Sequence, residues 1–404
     1  MSTSLLYHAF GIRGYHYRRT DYVNGQIIFT VHQEPETCRC PACGCSDVLF
    51  RGHAERRFRS LPIGDRATFV KLAIPRVECR TCGVVRQVKV PFADARRSYT
   101  KSFERYALEL SRRMTIRDVA KHLGVSWDMI KEIQKRDLSR RFAKPKLKHL
   151  RRIAIDEISV AKGHRYLTVV MDLESGAVVF VGDGKGADAL NPFWKRLRSS
   201  RAKIEAVAMD MSAAYRGAVS AHLPKAKIVF DRFHVMKLYN DRLSQLRRDL
   251  HREATDTMQK EVLKGTRWLL LKNPENLDET KDEKRRLEEA LALNKSLAVA
   301  YYMKDDLRLF WEQSGQRFAA AFLNDWIKRA EASGIKMLKQ MAKTLAAHRS
   351  GLLAYYDAMI TSGPMEGTNN KIKTMKRQAY GFRDDEFFKL KILAIHETKY
   401  ELVG

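Results

Sequence analysis

Residues 152–181 read RIAIDEISVAKGHRYLTVVMDLESGAVVFV, three apolar, β-branched runs separated by turn residues. This composition predicts a meander of three β-strands. A single acid, Asp156, lies inside the first run. A carboxylate in a buried strand costs several kcal/mol unless it is neutralised, and a divalent metal ion is one way to neutralise it. A hydrogen-bonded aspartate at a sheet edge is the competing interpretation.

Two further acids stand at comparable positions. Asp210 ends a second apolar run, 204–209, and strand ends are where α/β sheets collect catalytic groups. Glu366 lies in the first turn of a helix that is predicted to have Gly363 as its cap and Pro364 at its first position. Two strand aspartates and a helical glutamate suit a pair of divalent ions in phosphoryl transfer. For Glu366 the competing interpretation is helix capping.

Several motifs together resemble the DDE transposases of bacterial insertion sequences, specifically the ISL-three family. The motifs are CPACG, CRTCG, IAIDEISVAKGHRYLTVVMD, AVAMDMSAAY, DRFHV and GPMEGTNNKIKTMKRQAYGF, so the resemblance covers nearly the whole length. It implies that Asp156, Asp210 and Glu366 are catalytic and bind two Mg²⁺ (or Mn²⁺) ions. Asp231 and His234 resemble an Asp-x-x-His string of several DDE families, and they are either accessory residues or a structural hydrogen-bonded pair.

A multidomain α+β fold follows from the predicted elements and from this resemblance. A zinc ribbon and a helix-turn-helix come first, and an RNase H-like α/β catalytic domain follows, interrupted by an all-α insertion. The run from 152 to 230 predicts strand, strand, strand, helix, strand, helix, strand, which is the RNase H-like order. The expected boundaries are 1–95 for the zinc ribbon, 96–150 for the helix-turn-helix and basic linker, 151–235 for the first part of the core, 236–353 for the insertion, and 354–404 for the C-terminal core helices that carry the third acid.

All six cysteines lie between positions 38 and 82, too few and too clustered for a disulfide scaffold in a chain of 404 residues. Two matching Cys-x-x-Cys-Gly motifs predict one closed, tetrahedral, structural Zn²⁺ site. The ligands would be Cys40, Cys43, Cys79 and Cys82. The strand-like run FVKLAIPRVEC predicts a hairpin that returns the second pair to the first. Cys38 and Cys45 are left over: either could replace a neighbouring ligand, form a disulfide or remain a thiol.

The segment TIRDVAKHLGVSWDMIKEI has helix-turn-helix spacing, with Gly124 where two helices must turn. Its second helix, capped by Ser126, would enter the major groove of DNA. An ordinary αα-hairpin is the alternative. The residues expected to contact DNA, here, in the basic linker and after Glu366, are Arg117, Ser126, Trp127, Lys131, Arg140, Arg141, Lys373 and Arg377.

The charge of the chain restricts its partners. Lys and Arg number 75 against 47 Asp and Glu, a formal charge of +28, so nucleic acid is the expected partner. No run approaches 18 consecutive apolar residues and no signal peptide precedes Met1, so we expect no membrane association and a cytoplasmic, nucleoid-bound protein. The resemblance implies a homodimer on double-stranded DNA.

The sequence therefore predicts a metal-dependent transposase. It would cleave at the terminal inverted repeats of its own element and join the freed 3′ hydroxyls to target DNA. Two alternatives stay open: a sequence-specific DNA-binding regulator with an inactive RNase H-like domain, and an RNase H-like nuclease without strand transfer. Three intact acids argue against the regulator, whereas the nuclease would share the same metal site.

Overall fold

The computed structural model describes residues 5–161 and 165–397. The chain forms two compact units, Met1–Lys144 with Thr374–Gly404, and Pro145–Lys373. Within the described ranges, no helix combines the length and the apolar composition that a membrane crossing requires.

The N-terminal part of the first unit is built on a five-stranded sheet. Its elements are α1 (Leu5–Phe10), β1 (His16–Val23), β2 (Gln26–His32), β3 (Val48–Arg59), β4 (Thr68–Cys79) and β5 (Val85–Gln87). The strand order is β1-β2-β4-β3, and β5 pairs with β4. Only β2 and β4 run parallel among these described strands. The antiparallel β3–β4 hairpin places Cys79 opposite Val48, so the hairpin predicted between the two cysteine pairs is confirmed.

Three helices follow the sheet: α2 (Lys101–Ser111), α3 (Ile116–Leu123) and α4 (Trp127–Phe142). Gly124 has φ 60° and ψ 41°, the left-handed conformation that ends α3 sharply. The Ser126 hydroxyl accepts a hydrogen bond from the Met129 amide, so the predicted cap of α4 is confirmed. The buried Arg59 guanidinium donates to the Leu123 carbonyl at 3.0 Å and ties α3 to the sheet.

A second five-stranded sheet organises the other unit. Its elements are β6 (Arg152–Ala161), β7 (Arg165–Asp172), β8 (Val178–Asp183), α5 (Asn191–Ser200), β9 (Ala206–Met209), α6 (Ala213–His222) and β10 (Lys227–Phe230). The order of strands is β10-β9-β6-β7-β8. The meander β6–β7–β8 is antiparallel, whereas β6, β9 and β10 run parallel. The predicted order of strands and helices is therefore confirmed.

Helices alone make up the chain from β10 to the third acid. They are α7 (Arg232–Glu253), α8 (Thr257–Gly265), α9 (Arg267–Leu271), α10 (Glu283–Ala292), α11 (Lys295–Arg308), α12 (Gln316–Ala332), α13 (Lys336–Ala347), α14 (Arg349–Leu353) and α15 (Tyr355–Ala358). Their apolar faces close a core around Tyr239 and Trp326. A Cβ on Gly351 would lie 2.4 Å from the Phe230 ring, so glycine allows α14 to pack directly against β10.

Two helices complete the chain, α16 (Gly363–Gln378) and α17 (Asp385–Leu393). Gly363 is the first helical residue rather than the predicted cap. The expected core segment 354–404 is divided, since residues after Lys373 belong to the first unit. There α17 packs on α4 with Phe387 buried. An apolar helix face is buried against whichever partner covers it, here a helix of the helix-turn-helix.

Candidate functional site

Three adjacent parallel strands lead into aspartates at the same level of the second sheet. Arg152 of β6 pairs with Ala206 of β9, and Ala206 pairs with Lys227 of β10. The residues four positions beyond these three are Asp156, Asp210 and Asp231. Neighbouring strands lie about 4.8 Å apart, and side chains at equal register point to the same face. The carboxyl edge of the sheet therefore collects three acids on neighbouring strands, as expected for a catalytic site of an α/β sheet.

Asp156 has contacts at both carboxylate oxygens. Its Oδ1 accepts a hydrogen bond from the Glu157 amide at 2.8 Å and lies 3.8 Å from Nε2 of His234. Its Oδ2 accepts a hydrogen bond from the Asn369 side-chain amide at 2.7 Å. Desolvation raises the pKa of Asp156, His234 opposes this, and the Asp210 carboxylate raises it further. A carboxylate that is desolvated beside a like charge is one that a divalent cation would stabilise.

The Asp-x-x-His string forms a hydrogen-bonded pair beside this carboxylate. His234 Nδ1 donates to Asp231 Oδ2 at 3.1 Å, and Asp231 is buried. Although desolvation acts to raise it, hydrogen bonds from His234 and Ser362 lower the pKa of Asp231. Desolvation acts to lower the pKa of His234, but the bond to Asp231 and the charge of Asp156 raise it. The imidazole of His234 therefore lies between Asp231 and Asp156, with Nδ1 bonded to Asp231 and Nε2 facing Asp156.

Helix α16 is positioned over the sheet by Asn369, a residue that the sequence did not single out. Asn369 is 6% exposed and bonds Asp156. Glu366 lies three residues earlier and thus on the same face of the helix, one turn closer to its start. The Gly363 amide at that start donates to Thr361 Oγ1 at 2.9 Å. In the described part of the chain, the Glu366 carboxylate makes no capping hydrogen bond.

The carboxylates of Asp156, Asp210 and Glu366 do not form one compact cluster of ligand atoms in the described structure. Across residues 5–161 and 165–397, the only potential ligand group with donor atoms all within 4.8 Å of one another is a cysteine cluster. The structure brings Asp156 and Asp210 into register and places the Glu366 turn on the helix that contacts Asp156. This all-carboxylate donor set suits a hard cation such as Mg²⁺, which prefers a few carboxylates together with water and phosphate oxygens.

The cysteine cluster consists of the four predicted zinc ligands. Cys40 Sγ lies 3.6 Å from Cys82 Sγ, and Cys43 Sγ lies 3.5 Å from Cys79 Sγ. Tetrahedral Zn²⁺ with Zn–S bonds of about 2.3 Å separates its sulfurs by roughly 3.8 Å, so the cluster has the size of a zinc site. Backbone amides, chiefly that of Cys43, lower the pKa of Cys40 to about 6. The backbone amide of Cys45 acts to lower the pKa of Cys43, but the neighbouring thiols of Cys79 and Cys40 raise it to about 12. Bound Zn²⁺ would favour the thiolate form of both residues.

The two remaining cysteines lie outside this cluster. Cys38 is buried in the apolar core of the sheet, with its thiol directed to the Glu34 carbonyl. Cys45 Sγ accepts a hydrogen bond from Thr81 Oγ1 at 3.1 Å. Both are free thiols.

The residues expected to contact DNA differ in how accessible they are. Arg117 and Trp127 are exposed, Trp127 to 53%. The Ser126 hydroxyl already caps α4. Lys131 is only 24% exposed, because its Nζ lies 3.0 Å from the Asp384 carboxylate. Arg117 at the start of α3 and Trp127 at the start of α4 are therefore more accessible to DNA than Lys131.

The basic residues further along the chain also lie at the surface. Arg140 and Arg141 both form ion pairs with Asp137, and Arg141 reaches Glu397 as well. Lys373 and Arg377 are exposed on α16. Each of these side chains keeps part of its surface open to a phosphate.

Three family models match successive parts of the chain. The zinc-finger of transposase IS204/IS1001/IS1096/IS1165 matches residues 36–82, and the helix-turn-helix domain of transposase family ISL3 matches residues 88–137. A transposase model of the ISL3 DDE type matches residues 153–392, more than half of the chain. The chain belongs to the transposase family ISL3. The predicted family, fold class and transposase function are thereby confirmed, and the helix-turn-helix of an ISL3 transposase indicates DNA binding.

Individual proteins similar to this ISL3 member include two named transposases. The transposase for insertion sequence element IS1001 of Bordetella parapertussis is 33% identical over 365 residues, 88% of either chain. The transposase for IS1557 of Mycobacterium tuberculosis is 30% identical over 375 residues, 86% of this chain and 83% of that protein. Among solved structures, the Drosophila P element transposase strand transfer complex has a TM-score of 0.41 at 10% identity, covering 76% of this chain and 94% of that one.

Proposed function

We propose that this ISL3 transposase binds the terminal inverted repeats of its element as a homodimer in the bacterial cytoplasm. It cleaves the DNA there and joins the 3′ hydroxyls to target DNA. The observation that supports this best is the shared register of Asp156 and Asp210, with α16 bonded to Asp156 through Asn369. Glu366 lies one helical turn from that bond, so its carboxylate is the proposed third acid of the site.

The three acids would hold the metal ions, and two neighbouring groups would hold the first acid. Asp156, Asp210 and Glu366 are the proposed ligands of two Mg²⁺ (or Mn²⁺) ions, which supply charge stabilisation to the attacking and leaving oxygens of the phosphodiester. Asn369 donates to one oxygen of Asp156, and His234, itself oriented by Asp231, faces the other. These contacts fix the rotamer of Asp156, so Asn369 and His234 are proposed as positioning residues.

The test is to identify both substrate and reaction. The purified chain is incubated with sheared genomic DNA of its source strain, a plasmid target and Mg²⁺, and retained and joined fragments are sequenced. We expect enrichment of a pair of inverted sequences that flank the gene of this chain, joined to the plasmid through their 3′ ends. Retention without cleavage would support the regulator, and cleavage without joining would support the nuclease.

A paired prediction concerns the helix-turn-helix. Arg140→Ala should weaken binding to all DNA sequences alike and lower the salt slope by about one, as expected for a phosphate contact. Lys131→Ala should weaken binding to the element end alone by about 1–3 kcal/mol if the lysine reads a base edge. Affinities for the element end and for random duplex, measured over a series of salt concentrations, separate the two effects.

The Asp384 contact supplies the control for Lys131. Asp384→Asn leaves the lysine in place but removes its anionic partner, so it should strengthen DNA binding if the ammonium takes part. If Lys131→Ala and Asp384→Asn both leave the preference for the element end unchanged, base recognition is assigned to Arg117 and Trp127.

A further inference from the structure

A basic cleft lies in the helical insertion between α7 and α8. Its volume is about 530 Å³. Apart from one glutamine, every side chain that lines it is cationic or, for the histidine, becomes so on protonation. The lining residues are Gln245, Arg247, Arg248, His251, Arg252 and Lys264.

Arg247 holds the cleft together. Its guanidinium crosses from α7 and donates to the Leu263 carbonyl of α8 at 2.7 Å, while its Nε is buried without a hydrogen-bond partner. Burial lowers the pKa of Arg247, and the charges of Arg267 and Arg248 lower it further. The charge of Arg247 is therefore repelled by two other guanidinium groups.

A carboxylate offsets only part of this charge. Asp249 forms an ion pair with the lining residue Arg252 and accepts a hydrogen bond from Gln245. Among the residues that the structure describes, no acidic side chain pairs with Arg247, Arg248, Lys264 or Arg267. Arg286 of α10 adds another charge, with Nη2 3.5 Å from where a Cβ of Gly265 would lie. The nearby Arg285, by contrast, lies within ion-pair distance of Asp282 and Glu289.

We propose that this cleft binds the phosphate backbone of duplex DNA. A concentration of unpaired cations costs free energy in the isolated protein and is stabilised when a polyanion enters. Guanidinium groups bind phosphate oxygens with two parallel hydrogen bonds, and release of counterions from DNA drives the association. The site extends the proposed function and rests on it. It would make the helical insertion a second contact surface for the DNA on which the catalytic edge of the sheet acts.

The surroundings favour DNA over an anionic membrane. A helix that lies in a bilayer surface needs an apolar face beside its basic one. Among the described residues between positions 245 and 268, Trp268 is the exposed large apolar side chain. The Arg267 guanidinium carbon lies 4.7 Å from the centre of its ring. The cleft therefore offers cations without the apolar face that a membrane requires.

The experiment uses the full chain, random-sequence duplex DNA and no divalent metal. Arg248→Ala and Lys264→Ala remove exposed charges and spare Arg247, which links the two helices. Each variant should lower the slope of log affinity against log salt by about 0.9, and the double variant by about twice that with a roughly tenfold weaker affinity. Arg248→Lys should retain the wild-type slope, and thermal unfolding should be unchanged in all of them.

Arg285→Ala is the matched control, since it removes the same charge from a paired arginine on α10. An equal loss in that variant would mean that net charge alone matters and would overturn the site. Wild-type slopes in the double variant would overturn it as well, and so would loss of binding to phosphatidylserine vesicles with DNA binding intact. The binding assay requires neither cleavage nor joining. Its result can therefore be interpreted even if the transposition assay fails.

Discussion

Glu366→Gln should abolish DNA cleavage and strand joining while DNA binding persists. Glutamine keeps the size and helical position of the side chain, but a neutral amide cannot balance the charge of a second divalent ion. The metal pair supplies several kcal/mol of transition-state stabilisation, and each 1.4 kcal/mol is a factor of ten. The rate should therefore fall roughly 10³-fold or more. Single-turnover cleavage of an element-end duplex in Mg²⁺, with binding measured separately, checks this.

The control is Glu331→Gln, an exposed glutamate of α12 that forms no ion pair in the described chain. It should cleave at the wild-type rate. Near-normal cleavage by Glu366→Gln would return Glu366 to a structural role at the start of α16, and another helical acid would have to complete the site.

The same experiment extends to the two strand aspartates. Asp156→Asn and Asp210→Asn should each reduce cleavage as strongly as Glu366→Gln. The losses should be far from additive in the double variants, because groups that act as one unit fail together. Additive losses would mean that the three residues contribute independently, which is incompatible with a shared metal site.

Local signals predicted much of this fold. Gly124 in the left-handed conformation and the Ser126 cap are properties of a few consecutive residues, so the helix-turn-helix could be read directly. The turn Asn24-Gly25, with φ of 48° and 72°, is an equally local signal for the β1–β2 hairpin, and the sequence interpretation passed over it.

The sequence could predict the candidate site only in part, because the site depends on pairing between strands that are distant in the chain. That Asp231 stands level with Asp156 and Asp210 depends on the register of three strands, which is decided by sheet packing. Asn369 acquires a role only through its contact with a strand more than two hundred positions away. The apolar stripe of α17 favours burial, but an apolar stripe carries no information about which surface covers it.

Cys43→Ser should release zinc and unfold the first ~90 residues. The cluster joins the loop before β3 to the end of β4, so it fixes the open end of the β3–β4 hairpin. Structural zinc contributes on the order of 10 kcal/mol in small modules, which couples metal loss to unfolding. Zinc content by mass spectrometry and hydrogen exchange of the first unit should change together, and element-end binding should be lost with them.

Cys45→Ser is the matched control, because Cys45 lies two residues from Cys43 and outside the four-sulfur cluster. It should keep one zinc per chain and normal hydrogen exchange, since the thiol that it removes only accepts hydrogen bonds. Full zinc occupancy in Cys43→Ser, with zinc lost in Cys45→Ser, would instead move the ligand role to Cys45. Loss of zinc from Cys43→Ser with unchanged exchange would show that the apolar core around Phe58 and Leu72 stabilises the sheet without the metal.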